Sequence, residues 1–323
     1  MDLDFDRVAP DLDILCFGEA LVDLLPDTRG ALEDCDRFEV CPGGAPANVA
    51  TGLARLGLRV GFRGVVGDDP FGRLLARRLG AEGVACAFRF APGHPTGLWF
   101  VALDALGERS FFSPNARFSA DKHVGPADVD RALLARAAWL HCGSSAHVLP
   151  EGQAALRAAV VAARELGVLV SFDPNVRLHL WDDVAPLRAL CAEVLPRCAL
   201  AKVADDEAEL CTGEGDPERA AARLVEMGVG VACLTLGPRG ALVRRGTDVL
   251  RVPAERVEAV DTTGAGDAFV AGFLAAVARR GDPAVLPRAE LERAAAFACR
   301  VAARVVSRVG AVAGLPREGE ISV

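Results

Sequence analysis

The 323-residue sequence contains only two lysines, Lys122 and Lys202, and neither lies in a GxxxxGK[ST] motif. A Walker A phosphate loop is therefore absent. The ten cysteines include no CxxC pair, and the five histidines have no ligand-like spacing with them, which argues against a metal cluster. We expect the cysteines to be buried small hydrophobic residues. Any metal would arrive with a phosphate ligand.

No Lys/Arg-rich segment and no bilayer-length apolar run is present, and the net charge is −8. We therefore expect no nucleic acid partner and no membrane partner. The N-terminal residues 1–7 are acidic and do not resemble a signal peptide, which predicts a cytoplasmic protein. Half of the residues are hydrophobic, enough for a sizeable core in one large or two smaller domains.

Strand-like and helix-like patterns alternate along the chain, which predicts βαβ units, a largely parallel sheet and helices on both of its faces. Predicted strands lie at 14–17, 60–66, 139–142, 168–173, 200–203 and 231–236, and predicted helices at 47–56, 71–79, 153–166 and 288–307. Residues 19–41 and 97–118 break this pattern and predict a small β lid. Within the second segment, residues 98–104 and 108–113 predict a hairpin around Gly107.

Residues 261–269 follow an apolar, strand-like run that ends at Val260, and they read Asp-Thr-Thr-Gly-Ala-Gly-Asp-Ala-Phe. Gly264 and Gly266 predict a turn whose backbone can approach a ligand, and an apolar helical pattern follows from Phe269. Free N–H groups and a helix N-terminus at one point favour an anion site. Asp267 is then either an N-cap or a base that accepts a proton from an attacking hydroxyl in phosphoryl transfer.

Two polar clusters near the N-terminus have both a structural and a functional interpretation. Asp23 interrupts an apolar run, and it is either an exposed carboxylate or an acceptor for two sugar hydroxyls. Gly43 and Gly44 precede a helix, where a ligand could lie against bare backbone, and Asn48 offers both donors and acceptors to a polyol. The alternative is a loop with a capping Asn.

Three more polar clusters follow predicted strands, where open parallel sheets bind ligands. Residues 173–177 contain Asp173, Asn175 and Arg177, which form either a ligand site or a structural Asp–Arg pair. Glu207 either belongs to the first turn of a helix, where a negative charge is favourable, or holds a metal-bound water. Residues 235–240 form either a simple tight turn or a nucleotide contact.

Together these segments resemble the PfkB (ribokinase-like) family of carbohydrate kinases, in the family's order, from about Ile14 to Pro316. Residues 43–48 resemble its N-terminal signature, and residues 261–269 resemble its C-terminal signature. Segments 18–23, 42–50, 141–144 and 173–177 look most like bacterial fructokinases.

The resemblance implies one Rossmann-like, three-layer α/β domain over residues 1–323, with a mostly parallel central sheet and a β lid. It implies transfer of the ATP γ-phosphoryl group to a primary sugar hydroxyl, with Asp267 as the base. The implied anion hole comprises the amides of Gly264, Ala265 and Gly266, and the implied sugar site comprises Asp23, Gly43, Gly44, Asn48 and Arg177.

The implied cofactor site for ATP and Mg²⁺ comprises Asn175, Lys202, Glu207, Thr235, Gly237 and Gly240, with Glu207 reaching Mg²⁺ through water. A monovalent cation, K⁺, is implied beside Asp261 and Thr263. Lids of this kind often pair, so an exposed apolar lid face would indicate a homodimer.

Three departures separate the chain from the family pattern. The NxxE motif lacks its Asn, because Ala204 stands there, and Cys299 occupies a position that is often Asn. Lid residues 112–119 also differ from the usual fructokinase sequence. Alternative substrates are therefore 2-keto-3-deoxygluconate, ribose or a nucleoside. An inactive sugar-binding regulatory protein is the alternative of another class.

Overall fold

Two β-sheets organise the protein in a computed structural model that describes residues 11–28, 30–103 and 109–322. The larger sheet has nine strands in the order β13-β12-β11-β10-β9-β8-β1-β4-β5. All of its neighbouring pairs are parallel except β11–β12 and β12–β13. Its strands are β1 (Leu12–Phe17), β4 (Val60–Gly67), β5 (Ala85–Ala91), β8 (Ala137–Gly143), β9 (Leu169–Asp173), β10 (Leu200–Ala204), β11 (Val231–Thr235), β12 (Ala241–Arg245) and β13 (Asp248–Val252).

Helices cover both faces of this sheet, which confirms the predicted three-layer α/β sandwich. Successive residues of β1 enter different cores: Leu15 lies in one hydrophobic cluster and Ile14 in the other. This alternation is the period of two that a strand buried on both faces requires. The helices are α1 (Ala45–Arg55), α2 (Pro70–Ala81), α3 (Arg131–Ala135), α4 (Pro150–Glu165), α5 (Val184–Val194), α6 (Ala208–Thr212), α7 (Pro217–Glu226), α8 (Ala265–Val277) and α9 (Arg288–Val306).

One predicted strand was wrong. Residues 253–264 have no regular structure, and the side chains of Val257 and Val260 are 43% and 41% exposed. The Val260 amide donates to the carbonyl oxygen of Val306, at the end of α9, and not to a neighbouring strand. The apolar run therefore does not mark a buried strand, and the turn before α8 is held by the C-terminal part of the chain.

The lid is the smaller, four-stranded sheet, in the order β3-β2-β6-β7. Its strands are β2 (Leu21–Pro26), β3 (Phe38–Gly43), β6 (Leu98–Leu103) and β7 (Arg109–Phe112). The predicted hairpin is confirmed by the antiparallel pairing of β6 with β7, while its turn at 104–108 lies outside the described residues. Among the described residues, no helix has the length and apolar character to cross a bilayer.

Candidate active site

The predicted site residues gather where the carboxyl ends of β9 and β10 meet the first turns of α1 and α8. This edge of an open parallel sheet is the usual place for a ligand, because connections diverge there and leave a crevice. The lid strand β2 brings Asp23 to the same crevice, since the charges of Asp267 and Arg177 act on its carboxylate. Residues separated by more than 240 positions in the chain therefore share one site.

The glycine turn before α8 has the geometry of an anion site. Gly264 is the N-cap of α8 with a φ of 75°, a left-handed conformation that favours glycine. A β-carbon there would lie 2.8 Å from Ala311. The Ala265 amide donates to the Thr262 carbonyl oxygen at 3.3 Å, which closes the turn. The first N–H groups of α8 point out of the helix end, where they suit an anion.

Asp267 is not the N-cap of this helix, so that interpretation was wrong. It is the third residue of α8, in its first turn, and Gly264 caps the helix through its backbone conformation. The Asp267 side chain instead accepts a hydrogen bond from Asn48 Nδ2, in α1, at 2.8 Å. The carboxylate is buried and therefore has a specific partner from the other end of the chain.

Burial raises the pKa of Asp267 to about 6. The hydrogen bond from Asn48 opposes this rise because it stabilises the ionised form, whereas the negative charge of Asp173 adds to it. The positive charges of Lys202 and Arg177 also oppose it. A carboxylate with a pKa near 6 is ionised at neutral pH and still a stronger base than an ordinary Asp, as general-base catalysis needs.

Asp261 anchors the turn and does not face outward as a free carboxylate. Its Oδ1 accepts bonds from the Thr263 amide at 2.8 Å and the Thr263 hydroxyl at 2.6 Å. Its Oδ2 accepts a bond from the Gly310 amide at 2.7 Å. The loop after α9 is therefore fastened to the glycine turn.

The lid side of the crevice consists of Asp23 and the two glycines at the start of α1. A β-carbon at Gly43 would overlap the Asp23 carboxylate, so only glycine leaves room for that side chain. Burial raises the pKa of Asp23 to about 7, and the charge of Asp267 adds to the rise. The exposed-carboxylate interpretation of Asp23 was wrong, because the side chain is half-buried against the site. Gly44, with a φ of 100°, lies against the Glu19 backbone.

A buried ion pair lies beneath the glycine turn. Lys202 Nζ, from β10, lies 3.1 Å from Asp173 Oδ2, at the end of β9. Burial lowers the pKa of Lys202, but Asp173 and Glu207 overcome this effect and raise it above its ordinary value. Asp173 therefore pairs with Lys202, and the alternative of a structural Asp173–Arg177 pair was wrong. The backbone of Asn175 has a φ of 42°, and its amide donates to Asp173 Oδ1 at 3.0 Å.

Glu207 is the N-cap residue of α6, and both of its carboxylate oxygens accept backbone N–H bonds. The donors are the Val176 amide at 2.5 Å and the Ala204 amide at 3.1 Å. Burial raises its pKa, Lys202 lowers it and Asp173 raises it. Glu207 thus ties the loop after β9 to the end of β10.

The remaining predicted residues lie at the rim of the crevice. Arg177 is exposed, and its guanidinium donates to the Val176 carbonyl oxygen at 3.0 Å. Thr235 ends β11, and two residues later nothing lies within 4 Å of the position that a β-carbon on Gly237 would occupy. Gly240 is different, because a β-carbon there would overlap the Val252 carbonyl oxygen. Its visible role is therefore to make the β11–β12 turn.

Sequence reasoning missed the role of Glu19. Its Oε1 accepts a bond from the Ala45 amide at 3.2 Å, at the start of α1, and so holds the Gly43–Gly44 segment in place. The signal was its position directly after β1, beside Asp23. Cys299, which stands at a position that is often Asn, is a residue of α9 and is buried in the core.

Known proteins resemble this chain over nearly its whole length. The model of the pfkB family of carbohydrate kinases matches residues 11–318. A fructokinase of Klebsiella pneumoniae is 39% identical over 310 residues, which cover 95% of this chain and 97% of that protein.

Two solved structures show the same fold. A fructokinase of Vibrio cholerae O395, in its fructose-, ADP- and calcium-bound form, has a TM-score of 0.84 at 34% identity, covering 94% of this chain and 95% of that one. A putative Ribokinase II of Escherichia coli in complex with ATP and Mg²⁺ has a TM-score of 0.85 at 28% identity, covering 96% of each chain.

Proposed function

Because the chain belongs to the pfkB family of carbohydrate kinases, we propose that it transfers the γ-phosphoryl group of ATP to the 6-hydroxyl of fructose. Relatives named fructokinase cover more than nine-tenths of the chain, and the similar Vibrio cholerae structure carries fructose and ADP. These similarities support fructose as the substrate and ATP as the phosphoryl donor. On this proposal, residues 1–323 act as one kinase domain with a lid at 19–41 and 97–118.

The hydrogen bond between Asn48 and Asp267 is the observation that carries this proposal. It holds a buried carboxylate of raised pKa in the first turn of α8, whose N-terminus suits phosphate oxygens, and this supports Asp267 as the base. Fructose lies between Asp23, Asn48 and Arg177 under the lid, against Gly43 and Gly44. Its 6-hydroxyl gives its proton to Asp267 while the phosphoryl group moves in line. The amides of Gly264, Ala265 and Gly266 hold the charge of the transferred group.

The nucleotide and its metal ion take the opposite side of the crevice. The described residues contain no group of three or more His, Cys, Asp or Glu side chains that could hold a metal ion alone. Mg²⁺ would therefore enter with the ATP phosphates. The Glu207 oxygens already accept backbone bonds and keep a second lone pair each, which suits an outer role through water. Asn175, Thr235, Gly237 and Gly240 border the nucleotide, and K⁺ would lie beside Asp261 and Thr263.

The first experiment is a sugar panel in a coupled assay of ADP release, with fructose, ribose, 2-keto-3-deoxygluconate and a nucleoside. We expect the highest kcat/KM with fructose. A higher value with the keto acid would reassign the substrate, and the exposed Arg177 guanidinium would suit its carboxylate. ATP binding without ADP release on any sugar would instead support an inactive sugar-binding protein.

The second experiment replaces the base. We expect Asp267→Asn to lower kcat at least about a hundredfold, as general-base catalysis contributes, while the sugar Kd changes little. Near-wild-type kcat in this variant would remove Asp267 from the role.

We also propose a homodimer formed through the lid. Strand alternation places Asp23 and Trp99 on the face towards the site and Phe100 and Phe112 on the other face. Phe112 is 56% exposed on that outer face, which would be covered in a dimer. Light scattering should give twice the chain mass for the wild type and a lower value for Phe112→Asp. A wild-type monomer at assay concentrations would contradict this proposal.

A further inference from the structure

Lys202 is a buried cation that touches the glycine turn. Its Nζ lies 2.9 Å from the position that a β-carbon on Gly266 would occupy, so the ammonium fills the space that this glycine leaves open. Asp173 holds it from the neighbouring strand, with Nζ 3.1 Å from Oδ2 and 3.4 Å from Oδ1. The other cation acting on the crevice, Arg177, is exposed at the rim. Of these two cations, Lys202 is therefore the one that is buried within the crevice.

Lys202 lies two residues before Ala204, the position where the NxxE motif has its Asn side chain. Residues 202 and 204 lie on the same face of β10, because side chains alternate along a strand. Ala204 occupies the position of the Asn in the NxxE motif and has no polar side chain to present to a phosphate or its metal ion. Lys202 supplies a fixed positive charge on that same face.

We propose that Lys202 is a catalytic residue whose ammonium contacts the γ-phosphoryl group at Gly266 and stabilises it during transfer, and that Asp173 is its positioning residue. This inference rests on the proposed function. A bond forms between the sugar oxygen and the γ-phosphorus while the bond from that phosphorus to the β,γ-bridging oxygen breaks. The bridging oxygen keeps the electron pair and leaves on ADP, the hydroxyl proton goes to Asp267, and Lys202 keeps its protons throughout. A preorganised charge of this kind is worth most in a site that excludes water.

The charges around Asp267 test whether Lys202 and Asp173 act on the base, and the split between kcat and KM then tests the contact with the phosphoryl group. Lys202 and Arg177 lower the pKa of Asp267, Asp173 raises it, and Asn48 donates to it; Asp267 in turn raises the pKa of Asp23 across the crevice. Removing Lys202 should therefore move the acid limb of the kcat/KM profile to higher pH. Removing the charge of Asp173 should move the same limb to lower pH.

The experiment compares Lys202→Met, Asp173→Asn and the double variant with a matched control, Lys122→Met. Lys122 is similarly buried and is paired with Asp121 at 2.6 Å, and it is not among the charges that shift the pKa of Asp267. We expect Lys202→Met to lower kcat at least about a hundredfold, with the KM values for sugar and ATP within about threefold. Asp173→Asn should also lower kcat, and Lys122→Met should retain it.

The double variant guards against misfolding, because it removes both charges of the Lys202–Asp173 ion pair and strands neither partner of that pair. Its kcat should stay low while its circular dichroism and melting temperature remain close to those of the wild type. Either of two results would overturn the proposal: a kcat of Lys202→Met within threefold of the wild type, or acid limbs of the two single variants that move in the same direction. An inactive wild type would instead refute the proposed function.

Discussion

The hydrogen bond from Asn48 should set the pH at which the protein becomes active. Asn48→Leu keeps the branched shape and the number of side-chain heavy atoms but removes the donor that lies 2.8 Å from Asp267 Oδ2. A hydrogen bond to a charged group contributes about 1.5–3 kcal/mol, and about 1.4 kcal/mol corresponds to one pKa unit. The loss should therefore raise the pKa of Asp267 by about one to two units, from about 6 in the wild type.

The sign follows from the role of the carboxylate as a base. Only ionised Asp267 accepts a proton, so a raised pKa removes activity at low pH and leaves it at high pH. At pH 7 the ionised fraction should fall by about two- to tenfold, and it should recover almost completely near pH 9. Any loss of sugar affinity from the same substitution would appear at both pH values.

The assay is kcat/KM for the sugar from pH 5 to pH 9.5, with Thr51→Ala as the control. Thr51 is equally buried in the same helix, but its hydroxyl donates to the Ala47 carbonyl oxygen and not to Asp267. The acid limb should stay near pH 6 in the control. An unmoved limb in Asn48→Leu, or an equal shift in both variants, would refute the reasoning.

Three further predictions concern packing and charge. Gly43→Ala should raise the sugar KM at least about tenfold with little change in the KM for ATP, because its β-carbon displaces Asp23; equal increases in both constants would contradict this. Gly264→Ala should lower kcat severely and destabilise the protein by about 1–3 kcal/mol in urea, since its φ is 75° and Ala311 blocks the β-carbon. Asp13→Asn should cost about 1–3 kcal/mol, because the buried Asp13 carboxylate pairs with Arg59 and Arg279. Its control, Asp11→Asn, breaks an exposed pair with Arg136 and should leave the urea stability nearly unchanged.

The periodicity of apolar residues predicted the helices that bury one face and the strands that are buried on both faces. The helix predicted at 71–79 is α2, which begins at Pro70, where the Asp69 side chain accepts the amides of Phe71 and Gly72. The same reasoning failed before Asp261, because apolar Val257 and Val260 lie exposed on an irregular segment. Hydrophobicity alone does not distinguish a buried strand from a surface run.

The site was predicted in its parts but not in its pairings. Glycines and carboxylates at strand ends marked the crevice, and the family resemblance assigned their roles. The partner of Asp173 was missed because Lys202 lies 29 residues further along the chain, on the neighbouring strand. The cap of α8 was missed because a glycine in a left-handed conformation replaced the side-chain cap that Asp267 could have supplied. The ion-pair partner and the helix cap both depend on tertiary contacts, which the periodicity of the sequence does not reveal.

The bond between Asp261 and Gly310 has a consequence for how the protein is made. The glycine turn is complete only when the loop after α9 has bonded to it. Asn48 can bond to Asp267 only after that residue, 219 positions later in the chain, has been synthesised. Nearly the whole chain must therefore be synthesised and leave the ribosome before the base and the anion site can form together. Contacts this distant in sequence slow folding. Kinase activity should then appear during synthesis only after residue 310 has emerged, as a late and abrupt event.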